Sequence, residues 1–459
     1  MRFVIIGAGQ VGESLARFLS RTGKEVVIIE RDAERCAALE EDLDVEVICG
    51  SGTHLTSLRQ AGLERTNMFV AVTESDETNL MCTLLASQLL PESSTRMARV
   101  RQHEYYNDPG IPAMFKVDFL VNPEDLLALR VQRILSIPGA RDVLVFEEGQ
   151  VYVVAFEISP ESPLVGRSLA DLGREMKDNT AMVGAILRQA ASARSGRKLL
   201  IPGGRDELQA GDLAYFLAPK NALEDLVKLQ RPAVAPVRSI LIGGGGEMSI
   251  HLASVLQGSG WSTKLLIEDS DLARAAAERL SGTVVIQGSP ADLELLDEQL
   301  SDGVDTYVAA SEEDTLNVLT AQFAHKLGIS RTVVVTRDPQ YVKMLRAVDV
   351  DVALNPFDLA ASFVLRNVHQ VNVLEVNLFA GEDAEAFEFV PPKDSPVFGK
   401  PLKTVKFPKN TLVAMIKRGK GVILPRGDDA IQPDDRVIIF CKRGSIGALE
   451  RLFDPSWKW

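Results

Sequence analysis

The feature that most constrains the fold of this chain is a duplication, in which the second half repeats the first after about 230 to 238 residues. FVIIGAGQVGESLARFL at Phe3–Leu19 returns as SILIGGGGEMSIHLASVL at Ser239–Leu256. Val11, Leu15, Phe18 and Leu19 form a stripe at helical spacing, and Met248, Leu252, Val255 and Leu256 repeat it 237 residues later. A stripe of that period packs one face of a helix onto a sheet. The match continues downstream. VVIIERD at Val26–Asp32 pairs with KLLIEDS at Lys264–Ser270, and FVAVTESDETN at Phe69–Asn79 pairs with YVAASEEDTLN at Tyr307–Asn317. VRQHEY at Val100–Tyr105 pairs with TRDPQY at Thr336–Tyr341. Whatever unit the first half builds, the second half must build again.

Within each repeat, short β-branched or apolar runs alternate with helical patterns, which predicts a parallel sheet covered by helices. The expected fold class is α/β, with two doubly wound Rossmann-like parallel-sheet domains over residues 1–121 and 237–355. Each precedes a small α+β domain, over residues 141–229 and 371–453. These smaller pieces also match each other, PLVGRSL at Pro163–Leu169 with PVFGKPL at Pro396–Leu402. RPAVAPVR at Arg231–Arg238, with two prolines, is the expected linker between the halves.

Composition narrows the function. Fifty basic against 63 acidic residues leave a net charge of −13, the wrong sign for a nucleic-acid partner or for anchoring on anionic lipid. No apolar run approaches the roughly 18 to 20 residues that cross a bilayer. The opening MRFVIIGAGQ has four consecutive apolar residues before glycine, too few for a signal peptide. Cys36, Cys49, Cys82 and Cys441 show no C-x-x-C spacing, and the five histidines no paired ligand spacing. The chain reads as a cytosolic, reduced protein without a disulfide framework or a metal site.

GAGQVG at Gly7–Gly12 fits G-x-G-x-x-G and follows an apolar run. Gly7 permits the tight turn, Gly9 lets backbone approach a pyrophosphate, and Gly12 allows a helix to pack closely on the strand. Glu30 stands 18 residues beyond Gly12, where a carboxylate accepts both ribose hydroxyls and repels a 2′-phosphate. NAD is therefore expected over NADP, with the neighbouring Arg31 keeping NADP open. Thr73 and Glu74 fall at the end of the fourth strand, beside the expected ligand crevice, where the other roles are turn formation and helix capping, the cap being Thr73 or Ser75. Arg99, near the end of the fifth strand, has two readings, a ligand contact or an ordinary salt bridge. In the second copy Gly244, Gly246 and Ser249 take the three glycine positions, and Glu268 takes that of Glu30. This site either binds a nucleotide weakly, binds a different one, or is structural.

A dehydrogenase needs an acid or base beside the nicotinamide. The pieces after each sheet are short and duplicated, and they hold one histidine, His369, without a counterpart in the first half. His54 reads as a surface or capping residue. A soluble NAD-dependent oxidoreductase is thus the alternative to a regulatory protein. The domain order, GAGQVG, Glu30 and AVTESDETN at Ala71–Asn79 together resemble the bacterial Trk potassium-uptake regulators built from tandem RCK domains (regulators of potassium conductance). The resemblance covers nearly the whole chain. It implies a non-enzymatic subunit that binds NAD(H) and, in some members, ATP or ADP. Gly7, Ala8, Gly9, Gln10, Val11, Glu30, Thr73, Glu74 and Arg99 would contact the nucleotide. The resemblance further implies a homotetrameric ring on a TrkH- or TrkG-type potassium-translocating subunit, peripheral on the inner membrane through that partner.

PEDLLALRVQRIL at Pro123–Leu135 and PFDLAASFVLRNV at Pro356–Val368 are amphipathic connectors. Leu126, Leu127, Val131, Ile134 and Leu135 give the first a broad apolar face. It is read either as a subunit contact, on which an oligomer is expected, or as an intramolecular core helix.

Overall fold

The structure, a computed structural model, describes residues 1–21, 23–146, 149–175, 181–189, 197–230, 235–345, 350–366, 373–379, 384–442 and 445–453. Strands β1 (Arg2–Ile6), β2 (Glu25–Glu30), β3 (Glu46–Cys49), β4 (Met68–Ala71), β5 (Thr95–Arg99) and β6 (Phe119–Val121) alternate with helices α1 (Gln10–Arg21), α2 (Ala33–Asp42), α3 (Leu55–Gln60), α4 (Asp76–Ala86), α5 (His103–Asn107) and α6 (Gly110–Phe115). The six strands are all parallel in the order β3-β2-β1-β4-β5-β6. The central strands are apolar on both faces because helices cover both, so β1 and β4 are buried nearly throughout. Order reverses between β1 and β4, and a crevice opens there at the strands' carboxyl ends.

Connector α7 (Pro123–Ser136) starts on an Asn122 cap whose side chain accepts from Asp125 N, with Pro123 in the first turn. It leads to an antiparallel sheet of β7 (Ala140–Phe146), β8 (Val151–Glu157), β9 (Met182–Gln189), β10 (Arg197–Leu200) and β11 (Leu213–Pro219), with helices α8 (Leu169–Glu175) and α9 (Leu223–Gln230). The second half repeats the plan. Strands β12 (Ser239–Gly243), β13 (Ser262–Ile267), β14 (Thr283–Gln287), β15 (Thr306–Ala309), β16 (Arg331–Val335) and β17 (Val352–Leu354) accompany α10 (Glu247–Leu256), α11 (Ser270–Arg279), α12 (Leu293–Ser301), α13 (Asp314–Lys326) and α14 (Pro339–Leu345). Their parallel order is β14-β13-β12-β15-β16-β17. Connector α15 (Pro356–Arg366) precedes an antiparallel sheet of β18 (Val373–Phe379), β19 (Ala384–Phe389), β20 (Thr411–Arg418), β21 (Gly421–Ile423) and β22 (Arg436–Lys442), followed by α16 (Ile446–Phe453). Two doubly wound sheets, each with a small second lobe, are the expected fold class. Residues 231–234 of the expected linker, residues 371–372 of the last expected domain, and His369 lie outside the described residues.

The connectors are exchanged between the halves. Phe357, Ala360, Ala361 and Val364 of α15 complete the core around Val11, Leu15 and Leu19 of α1. Leu127, Val131 and Ile134 of α7 share a core with Ile250, Ala253 and Leu256 of α10, and α7 also lies against α15. The apolar face of α7 is therefore covered inside the chain, which corrects its reading as a subunit contact. Polar contacts reinforce the exchange. His251 Nε2 and Asp125 Oδ1 lie 2.8 Å apart, and the buried Arg331 guanidinium donates to the carbonyls of Ile134, Ile137 and Ala140, from the end of α7 to the start of β7. Burial pulls the Arg331 pKa down to about 10. The two antiparallel sheets pack together through Ala185, Tyr215, Met415 and Phe440.

One cysteine reading needs correction. Cys36 of α2 and Cys49 at the end of β3 form a disulfide, with Cα atoms 6.1 Å apart. No spacing motif announces it, because the pair is brought together by the return of the chain from α2 into β3.

Candidate nucleotide site

The first glycine turn leaves β1 at Ile6 and enters α1 at Gln10. Gly7 has φ +93°, and a Cβ there would stand 2.9 Å from Thr73 Cγ2, so conformation and contact both require glycine. A Cβ at Gly9 would meet nothing within 4 Å, which leaves open space at that backbone for a ligand. At Gly12 a Cβ would fall 2.0 Å from the Gly7 carbonyl oxygen, so helix and turn meet there backbone to backbone. The unpaired N–H groups that begin any helix open α1 toward the cleft.

That cleft measures about 870 Å³. Gly7, Gly9, Gln10 and Glu30 line one side, and Thr73, Glu74 and Arg99 another. Ala8, Val11 and Gly12 stand behind this lining. Ala8 N donates to Glu30 Oε2 at 2.6 Å, Val11 is buried in the core, and Gly12 packs on the Gly7 backbone. The Glu30 side chain is itself engaged. Oε1 accepts from the backbone N–H groups of Arg31 and Asp32 at 2.8 and 2.9 Å. A carboxylate offers about four acceptor directions, so a ribose that takes two of them displaces one of these N–H groups.

Asn79, fully buried, organises the far wall. Its Oδ1 accepts from Thr73 N and Oγ1 at 2.8 and 2.7 Å, and its Nδ2 donates to the carbonyls of Thr73 and Arg99, each at 3.0 Å. The end of β4 is thus stapled to the end of β5. Asp76 accepts from Arg101 N and Gln102 N, and Ser75 rather than Thr73 caps α4. Arg99 forms an ion pair with Glu124 at 3.4 Å and lies over the Phe357 ring at 5.9 Å while still lining the cleft. The salt-bridge reading of Arg99 is met, and the side chain keeps a place in the cleft lining. Burial pulls its pKa down, against the opposing pull of Glu124.

Three wall residues lay beyond sequence reasoning, because Met248, Arg337 and Phe357 come from the second half. The exchange of connectors carries them there. Arg101 was also missed, although its alignment with Arg337 in the VRQHEY and TRDPQY repeats was available as a signal. The described lining carries Arg31, Arg35, Arg99, Arg101 and Arg337 against Glu30, Glu74 and Glu124, a basic balance suited to phosphate.

The second turn differs. Ser249 is buried and its Oγ donates to the Gly246 carbonyl at 2.8 Å. With a Cβ at this position, the turn cannot close as the first does, and Gly244 lies outside the left-handed region. Glu268 is exposed and accepts from Ser289 Oγ at 2.9 Å instead of bracing the turn. The cleft beside it is about 440 Å³, is touched by Gly244 but not by Gly246 or Ser249, and is lined by Glu268, Asp269, Glu312 and Glu313 without a basic side chain among the described residues. Four carboxylates oppose a pyrophosphate there.

Fold and site define a class: two Rossmann-like domains in tandem, each backed by an antiparallel lobe, with a basic cleft at the first glycine turn. Family models match in the same order, the TrkA-N domain over residues 3–118 and 240–356 and the TrkA-C domain over residues 153–231 and 386–454. The Trk system potassium uptake protein TrkA of Vibrio alginolyticus is 32% identical over 99% of both chains. A TrkA homolog of Methanosarcina mazei is 33% identical over 99% of this chain and all of its own. The chain belongs to the TrkA family of Trk system potassium uptake proteins. Among solved structures, the GsuK RCK domain superposes with a TM-score of 0.63 at 15% identity, covering 99% of this chain and 95% of that one. A GsuK channel bound to NAD superposes equally well, covering 99% of this chain and 79% of that one.

Proposed function

We propose that this chain is a regulatory subunit that couples nucleotide occupancy of the first cleft to potassium uptake. The observation that carries the reading is the first cleft itself, with an open backbone at Gly9, a braced carboxylate at Glu30 and an excess of arginine. NAD(H) fits that arrangement, and ATP and ADP share the adenosine and phosphate groups it would hold. Solved GsuK structures with NAD and with ADP support this choice by fold. The second cleft, acidic and differently turned, is structural in this reading.

In this reading the partner is a potassium-translocating membrane subunit of the TrkH or TrkG type, a choice that membership of a potassium-uptake family supports. No helix among the described residues is long and apolar enough to cross a membrane. In this reading the chain attaches at the cytoplasmic face of the inner membrane through that protein. Met81 of α4 and Leu319 of α13, 238 residues apart, expose apolar side chains at equivalent places in the two halves. They support a self-assembled ring, read here as a homotetramer. Ligand binding controls a ring only where one arrangement binds it better than another, and in this reading that difference arises at the walls drawn from both halves.

The test has two stages. Calorimetry against NAD+, NADH, ATP and ADP should show binding that Glu30→Ala weakens. Potassium flux through a TrkH-type subunit in liposomes should change when the protein is added, and by amounts that depend on the nucleotide. Turnover of NADH with a small-molecule substrate, lost in Glu30→Ala, would instead establish the oxidoreductase reading.

A further inference from the structure

Arg337 belongs to the second half, yet it lines the cleft of the first. Its guanidinium donates to Glu312 Oε1 at 3.0 Å, and Glu312 lines the second cleft. A Cβ on Gly246 would stand 2.9 Å from that same oxygen, so the carboxylate rests on the second glycine turn. One ion pair therefore straddles the wall between the two clefts. Met248, in the first turn of α10, faces the first cleft from the same wall.

The pair is held loosely. Its side chains are 37% and 66% exposed, and an ion pair that exposed is worth roughly two- to fivefold in an equilibrium constant. A phosphate is a stronger acceptor, because its oxygens match the planar guanidinium fork two at a time. The other inner arginines have hydrogen-bond partners in their own half, Arg99 with Glu124 and Arg101 with the Glu74 carbonyl.

We propose that Arg337 is a phosphate-binding residue of the first cleft, supplied from across the chain. A phosphate group of a nucleotide bound at the first glycine turn takes the Arg337 guanidinium from Glu312. The ligand is then held by both halves at once. This rests on the reading that the first cleft takes a nucleotide. It also gives occupancy a direct mechanical consequence, since Arg337 directly follows β16 and Thr336, and β16 begins at the Arg331 that grips the end of α7.

The experiment is calorimetry of ADP and of NADH with the full chain, as wild type, Arg337→Gln, Glu312→Gln and the double variant. Arg337→Gln should weaken binding roughly tenfold, the loss of a charge-assisted hydrogen bond. Its backbone N–H to Asp314 does not depend on the side chain, and the melting temperature reports whether the fold is kept. Glu312→Gln removes the competitor and should strengthen binding roughly two- to fivefold. The double variant should match Arg337→Gln alone, because the competitor acts only through the arginine. Wild-type affinity in Arg337→Gln, or a gain from Glu312→Gln that persists without Arg337, would overturn the proposal while Glu30→Ala still weakened binding. Absence of nucleotide binding to the wild type would remove the underlying reading as well.

Discussion

Gly12→Ala is the sharpest perturbation of the first glycine turn. The added Cβ would stand 2.0 Å from the Gly7 carbonyl oxygen and 3.1 Å from its carbon. Both atoms are backbone of the turn, so no side chain can swing aside. Reaching an ordinary contact of 3.4 Å requires about 1.4 Å of separation between α1 and the end of β1. That movement lifts Val11, Leu15 and Leu19, all buried, from their packing on the sheet. The expected loss of stability is about 1 to 3 kcal/mol, the usual cost of overpacking. Nucleotide binding should suffer more. An N–H at the start of α1 displaced by over an ångström leaves hydrogen-bond range of a phosphate. One such bond to a charged group is worth about 1.5 to 3 kcal/mol, so affinity should fall roughly tenfold to a hundredfold. Gly12→Ser should act alike and drive the first turn toward the shape of the second, where Ser249 occupies this place. Gly9→Ala is the control, because its Cβ meets nothing within 4 Å and stability should be unchanged. The assays are thermal unfolding and calorimetry with NADH. Wild-type melting and wild-type affinity in Gly12→Ala together would refute the reasoning.

Glu30→Ala should weaken NADH binding by about 1 to 3 kcal/mol by calorimetry, and Glu268→Ala, in the acidic second cleft, should have a smaller effect. Arg331→Leu leaves the Ile134, Ile137 and Ala140 carbonyls without this donor and should cost about 3 kcal/mol in denaturant unfolding. Met81→Asp with Leu319→Asp puts charge on the equivalent exposed apolar positions and should shift light scattering toward the monomer, without lowering the melting temperature of the chain.

Much of the first cleft was legible because its residues lie close together along the chain. Gly7, Gly9 and Gly12 answer to local backbone geometry, and Glu30 to the length of one helix and one strand. The AVTESDETN segment was legible as a motif, but the work of Asn79 was not, since its partner carbonyl on Arg99 arrives from another strand. The inequality of the two copies was only half visible. Ser249 signalled a departure, whereas the lack of basic groups around the second cleft depends on which loops surround it.

By itself the sequence determined the duplication, the alternation that makes each half a parallel sheet, and the glycine turn at its switch point. These follow from periodicity and local conformation, which operate over a few residues to a few tens. Tertiary structure decided where the connectors go. The apolar face of α7 requires a partner, but any apolar surface of the right shape satisfies it, because hydrophobic burial is non-directional. Only the folded chain shows that α10 supplies the cover, that α15 does the same for α1, and that this exchange sets Met248, Arg337 and Phe357 against the first cleft.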